Sequence, residues 1–130
     1  MQGLHLTADL HQCACPGHWL TDAGVLLARC LDEVRAAGLQ PVNQLAHSFG
    51  PTAHGDGGVT ATVLLAESHL CVHTWPEQAG VTLDVYVCNF SADHSTQAQG
   101  LLDALIALFA PATLACQRLQ RGLAATAHQP

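Results

Sequence analysis

The feature that most constrains this chain is alternation with period two, the mark of strands whose two faces meet different surroundings. From Gly3 to Gln12, Leu4, Leu6, Ala8 and Leu10 alternate with His5, Thr7, Asp9 and His11. From Val81 to Cys88, Val81, Leu83, Val85 and Val87 alternate with Thr82, Asp84, Tyr86 and Cys88. Val59 to Ala66 and His69 to Thr74 read as two further strands, joined at Glu67-Ser68. Val42 to Phe49 and Ala112 to Leu119 complete the strand set.

Two stretches carry helical spacing instead. The first is capped by Thr21 or Asp22, presents Leu26, Leu27, Cys30, Leu31 and Val34 as its apolar stripe, and runs to about Ala37. Gly38 stands where a helix C-terminus favours glycine. The second is opened by Ser91, Asp93 or Ser95 and runs from about Thr96 to Ala110. Its apolar positions are Leu101, Leu102, Leu105, Ile106 and Phe109, and Pro111 marks its end. Cys13 to His18 reads as a loop, Gly50 to Gly58 as a mobile loop and candidate lid, Trp75 to Gly80 as a turn, and the tail to Pro130 as frayed. This order predicts an α+β fold: a two-layer α/β sandwich with one mostly antiparallel sheet and both helices on one face. The other face is expected to be covered by a second copy.

At 130 residues the chain is expected to form one domain, 1–130. No apolar run is long enough to span a membrane, and Met1 to His5 lacks the features of a signal peptide, which predicts a cytoplasmic protein. The net charge is −6, and the only basic residues other than histidine are Arg29, Arg35, Arg118 and Arg121. They do not cluster, so no nucleic-acid footprint is present. There is no lysine, which removes pyridoxal-phosphate chemistry and Walker-type phosphate loops. Of the six cysteines, Cys30 and Cys116 fall in helix and strand patterns and read as small buried apolar residues.

The chemistry concentrates at Glu67-Ser68-His69-Leu70-Cys71-Val72-His73-Thr74-Trp75-Pro76-Glu77: two hydroxyls, two imidazoles, a thiol and two carboxylates. Strand parity puts His69, Cys71 and His73 on one face and Ser68, Leu70 and Val72 on the other. Ser68 and His73 therefore meet only if the chain bends near Ser68 or if they come from different subunits. Residue types alone leave three readings open. His69, Cys71 and His73 can offer zinc ligands, but alternate positions of one strand rarely wrap a tetrahedral ion. Ser68 can be a hydrolytic nucleophile, though the Gly-x-Ser-x-Gly elbow is missing. Or the stretch is a well-satisfied polar strand edge.

The same eleven residues, Glu67-Ser68-His69-Leu70-x-x-His73-Thr74-Trp75-Pro76-Glu77, closely resemble the processing-site motif of the prokaryotic, pyruvoyl-dependent class of S-adenosylmethionine decarboxylase proenzymes. Gly3-x-His5-Leu6, His47-x-Phe49 and Asp84 to Cys88 fit other segments of that family, so the resemblance spans about Gly3 to Gly122. It implies self-cleavage between Glu67 and Ser68 into residues 1–67 and 68–130, which stay associated. The Ser68 hydroxyl would attack the preceding carbonyl to give an ester. His73 would act as the processing base, and elimination and hydrolysis would leave a pyruvoyl cofactor derived from Ser68. That ketone would form an imine with the substrate amine, carbon dioxide would leave, and Cys88 would return a proton. Phe49 would stack on adenine and Glu77 would hold the ribose hydroxyls. The resemblance also implies a homodimer with shared sites, and S-adenosylmethionine as substrate for spermidine synthesis.

Departures from the family pattern sit on the substrate side. Thr60 stands where a serine that assists processing is usual, Ser48 and Leu4 stand where arginines are usual, and the loop from Gly50 to Gly58 is longer. They keep two alternatives open: a pyruvoyl-dependent decarboxylase of ornithine or arginine, and an unprocessed regulatory homologue.

Overall fold

The computed structural model describes residues 1–90 and 92–122. Strand β1 covers Gly3–His11, followed by a helical turn α1 (His18–Thr21) and helix α2 (Ala23–Ala36). Strand β2 (Asn43–Ser48) leads to two short strands, β3 (Pro51–Thr52) and β4 (Gly55–Asp56). Then come β5 (Val59–Leu65), β6 (Ser68–Trp75), a 3-10 turn (Pro76–Gln78), β7 (Gly80–Cys88), α3 (Ser95–Phe109) and β8 (Thr113–Arg121). Six strands form one sheet in the order β2-β5-β6-β7-β1-β8, and every neighbouring pair is antiparallel.

The period-two pattern decides which face is buried. Leu4, Leu6, Ala8 and Leu10 of β1 lie in the core with Val59, Ala61 and Val63 of β5, Leu70 and Val72 of β6, and Val81 to Val87 at alternate positions of β7. Both helices cover this face: α2 packs on β2 and β5, α3 on β7 and β1, and the two helices touch. Leu26, Cys30 and Val34 supply the buried stripe of α2, and Leu101, Leu102, Leu105 and Phe109 supply that of α3.

The helix ends follow local chemistry. The Asp22 carboxylate accepts from the Val25 backbone N–H at 3.1 Å, satisfying one of the free donors of the first turn of α2. Gly38, at φ +85°, closes its other end, with Leu39 N–H donating to the Val34 carbonyl. Before α3 it is Asp93 that accepts, from the Ser95 backbone N–H at 2.8 Å. Ser91, one of the residues expected to open that helix, and the tail 123–130 lie outside the described residues.

Several expectations need correction. The stretch read as a loop up to His18 runs directly into the extra turn α1, held by Thr74, whose hydroxyl donates to the Leu20 carbonyl at 2.7 Å. Gly50 to Gly58 is not structureless: Pro51 pairs with Asp56 and Thr52 with Gly55 in a small hairpin. Cys116 is exposed rather than buried, because β8 is the sheet edge and is exposed along its whole length. Cys30 is buried, and its desolvation pushes the thiol up to about 12.

Candidate functional site

Opposite the helices, the sheet presents polar side chains in register. Cross-strand partners point to the same face, so three rows run across it. One reads Asn43, Leu64, His69, Tyr86, His5, Leu119; the next Leu45, Thr62, Cys71, Asp84, Thr7, Gln117; the third His47, Thr60, His73, Thr82, Asp9, Ala115. Gly3, Cys88 and Arg121 lie together beyond the first row.

At that end, a two-residue turn joins Leu65 to Ser68. Its second residue, Glu67, has φ +54°, a conformation that costs a non-glycine residue about 1–2 kcal/mol. The peptide after Glu67 therefore sits at a tight, strained reversal between two core strands. Ser68 Oγ accepts from the Cys88 backbone N–H at 2.9 Å, so the hydroxyl is fixed beside Cys88 and its own proton is free to be donated. Glu67, Ser68 and Cys88 are thus brought together.

Thr60, His73, Phe49 and Glu77 gather at the opposite end of β6. Thr60 Oγ1 lies 3.0 Å from His73 Nδ1. These four residues line a cavity of about 500 Å³, together with Trp75, His54 and Asp56. Phe49 is 61% exposed, so it is not a core residue, and it meets the His47 ring edge-on at 4.8 Å. The small glycines beneath it are dictated by close approach: a Cβ on Gly58 would run into the Thr74 carbonyl oxygen, and one on Gly57 into that of Gly50. Thr74 anchors this corner, since its hydroxyl also accepts from the Val59 N–H at 2.8 Å.

The two groups do not meet within one chain. Ser68 and His73 are five residues apart on an uninterrupted strand, a separation of about 17 Å at about 3.3 Å per residue.

Between them lies a network whose connections the sequence did not disclose. Asp84 Oδ2 accepts from His5 Nε2 at 2.9 Å and lies 3.3 Å from His69 Nε2. Arg121 Nη1 donates to His5 Nδ1 at 3.0 Å, which puts the proton of a neutral His5 on Nε2, facing Asp84. Burial pushes the Asp84 carboxyl up, but the hydrogen bonds from His69 and His5 outweigh it and hold the group below the usual carboxylate value. His69, Cys71 and His73 do not converge as a metal set: Cys71 Sγ contacts Thr62 Oγ1 at 3.5 Å and His73 turns to Thr60. Among the described residues, the one trio with ligand atoms close together is His5, His69 and Asp84. Its geometry is already satisfied by hydrogen bonds, and Arg121 holds His5 in the tautomer that cannot offer Nε2 to an ion. Alternation places His5, His69 and Asp84 on one face, but only knowledge of the strand order makes them neighbours.

An antiparallel sheet backed by two helices, with a serine at a strained hairpin and an aromatic, acidic cavity at the far end of the same strand, defines a two-layer α+β protein with its candidate site on the open face of the sheet. Residues 4–122 match the family model for S-adenosylmethionine decarboxylase. An S-adenosylmethionine decarboxylase proenzyme of Pyrobaculum arsenaticum is 32% identical over 109 residues, covering 84% of this chain and 79% of its own. That of Parasynechococcus marenigrum is 36% identical over 99 residues, covering 76% and 70%. A crystal structure of the adenosylmethionine decarboxylase from Aquifex aeolicus superposes with a TM-score of 0.78 at 29% identity, covering 98% of this chain and 97% of that one. The chain belongs to the S-adenosylmethionine decarboxylase family.

Proposed function

We propose that this chain is a cytoplasmic proenzyme that cuts itself between Glu67 and Ser68, and then decarboxylates S-adenosylmethionine with a pyruvoyl group derived from Ser68. The product is the aminopropyl donor for spermidine synthesis. The observation that carries the reading is the placement of Ser68: first residue of β6, after a strained Glu67, with its hydroxyl held beside Cys88. In that position the hydroxyl can turn on the Glu67 carbonyl, and the shift from amide to ester releases the strained turn. The residues fit the group, because the new terminus would stay at the head of a paired strand beside the backbone of Cys88.

The group itself supplies a ketone that holds the substrate amine and takes up the electron pair left when carbon dioxide departs. The chain supplies the rest. Cys88 stands at that end of the sheet to return a proton to the substrate carbon. Phe49 offers an open aromatic face for adenine, and Glu77 offers a carboxylate for the ribose hydroxyls. His73, with Thr60 on its Nδ1, is poised to remove the α-proton of residue 68 during processing.

Because these groups occupy opposite ends of β6, the working site takes two copies. Two sheets stacked by their open faces, about a two-fold axis crossing the strands near His69 and Asp84, lay the Ser68 end of each over the His73 end of the other. Such packing also covers Leu45, Leu64, Trp75 and Leu119, all large apolar side chains exposed in the single chain. No helix of the described residues is long and apolar enough to cross a membrane. The family match favours S-adenosylmethionine over ornithine or arginine as substrate.

Intact mass and a carbon-dioxide release assay test this together. Two fragments split after residue 67, the second with a blocked N-terminus, and release from S-adenosylmethionine alone are expected. An active protein with Ser68 chemically unchanged, or release only from ornithine or arginine, defeats the proposal.

A further inference from the structure

The segment between Phe49 and Val59 adds side chains to the cavity that the eleven-residue motif does not account for. Its hairpin is locally specified. Thr52 Oγ1 donates to the Gly55 carbonyl at 2.9 Å and accepts from the His54 N–H at 3.1 Å. Gly55, at φ +114°, adopts a backbone conformation open essentially to glycine. Gly57 N–H donates to the Gly50 carbonyl and Phe49 N–H to the Gly58 carbonyl, which ties the hairpin base to the aromatic residue of the cavity. The result is that Asp56 lines the same cavity as Phe49, Trp75 and Glu77, and β4 packs against the turn that carries Glu77.

Within one chain no arginine or lysine lines the cavity beside these two carboxylates, and its basic side chains are the imidazoles of His54 and His73. Arg29 lies over the Trp19 ring, Arg118 donates to Gln99, Arg121 donates to His5, and Arg35 sits in the last turn of α2. None of the four lines the cavity, and the chain has no lysine. With those imidazoles neutral, the cavity joins aromatic faces to a net negative field, a combination that favours a cationic ligand over a neutral one of the same shape.

We infer that Asp56, carried on the β3–β4 hairpin, is a specificity-determining residue that selects the positively charged sulfonium substrate over uncharged thioether analogues. The inference rests on the reading of this cavity as the nucleoside side of the substrate site. Asp56 acts through its field: it strengthens binding of the fixed positive charge on sulfur and does not touch the reacting carbon.

The test is a charge series, Asp56→Asn and Asp56→Lys, with Asp103→Asn as the control. Asp103 lies on the exposed side of α3, where it accepts from Gln99, and its loss changes net charge equally. Two readouts are taken: KM for S-adenosylmethionine with processed enzyme, and calorimetric Kd for S-adenosylmethionine and its demethylated thioether on the uncleaved Ser68→Ala chain. Across about 6–8 Å of partly solvated space, removing one charge changes affinity about 3- to 10-fold. Asp56→Asn should raise KM and Kd for the sulfonium by that factor with kcat nearly constant, and Asp56→Lys should raise them further. The effect should shrink as salt is raised toward about 1 M. Thioether affinity should not follow, and Asp103→Asn should behave as the parent. A sulfonium Kd unmoved by Asp56→Asn, or a thioether Kd that rises in step, overturns the inference even if the enzyme turns over. Sulfonium discrimination by the Ser68→Ala chain, with the parent chain itself never self-cleaving, keeps the inference and defeats the processing proposal, whereas no binding of either ligand defeats the inference.

Discussion

Co-expressing His73→Ala and Ser68→Ala chains distinguishes a shared site from one built within a chain. Ser68 and His73 lie about 17 Å apart along β6, whereas proton transfer needs a contact of about 3 Å. Closing that gap within one chain means stripping β6 from β5 and β7, which hold it on both sides. Each variant alone should stay uncut, one for want of a base and the other for want of a nucleophile. In a mixed dimer, the Ser68 of the His73→Ala chain faces the intact His73 of the Ser68→Ala chain. The other site of that dimer lacks both groups. With equal expression and random pairing, about half of the His73→Ala chains sit in mixed dimers, so up to about half of them should be cut. The Ser68→Ala chains should never be cut. Intact mass resolves the two chain types and the fragments 1–67 and 68–130, and affinity tags on each chain report whether mixed dimers formed. Mixed dimers without any cleavage, or self-cleavage of His73→Ala alone at the parent rate, would refute the reasoning.

Two further outcomes follow from the hydrogen-bond geometry. Thr60→Val removes the hydroxyl 3.0 Å from His73 Nδ1 and should slow self-cleavage about tenfold, while Thr60→Ser should process at least as fast as the parent; equal rates for valine and threonine in a gel time course would exclude an orienting role. Asp84→Asn should lower unfolding free energy at pH 7 by about 1 kcal/mol in urea titrations, a modest figure because the Asp84 side chain is 30% exposed. Asp84 is held below its ordinary value of 3.8 in the folded state, so its contribution is present above that pH and is lost as pH falls through the lowered folded value. The difference between variant and parent should therefore shrink in acid, and a difference as large at pH 3 as at pH 7 would contradict the assignment.

Strand alternation and helix capping were legible because they are local. Leu4 to Leu10 and Val81 to Val87 state which face is buried without reference to anything distant, and Asp22 and Gly38 mark their helix end through groups a few residues away. The hairpin at Glu67-Ser68 was legible for a similar reason, since it falls where two apolar runs meet. Strand order was not. Nothing near His5 indicates that β1 inserts between β7 and β8, so neither the His5-Asp84-His69 network nor the exposure of Cys116 was accessible from parity. The β3–β4 hairpin was missed because its four glycines between Gly50 and Gly58 read as freedom. In the fold Gly55 instead meets a backbone requirement, and Gly57 and Gly58 meet steric ones.

Strand order also determines what the proposed self-cleavage would do to the particle. A cut after Glu67 assigns β1, β2 and β5 to the first fragment, and β6, β7 and β8 to the second. In the order β2-β5-β6-β7-β1-β8, only β2 with β5 and β6 with β7 pair within a fragment. The pairings β5 with β6, β7 with β1, and β1 with β8 cross the cut, so β1 is clamped between two strands of the other fragment. Its Leu4, Leu6 and Leu10 are at most 2% exposed, and β1 packs against α3, which also belongs to the second fragment. Burying those three leucines alone contributes about 5–9 kcal/mol, before the valines of β5 that face the same core. The fragments should therefore co-elute in native gel filtration after complete processing and part only in denaturant. Processed fragments that separate in plain buffer would mean that the interleaved sheet does not hold the particle together.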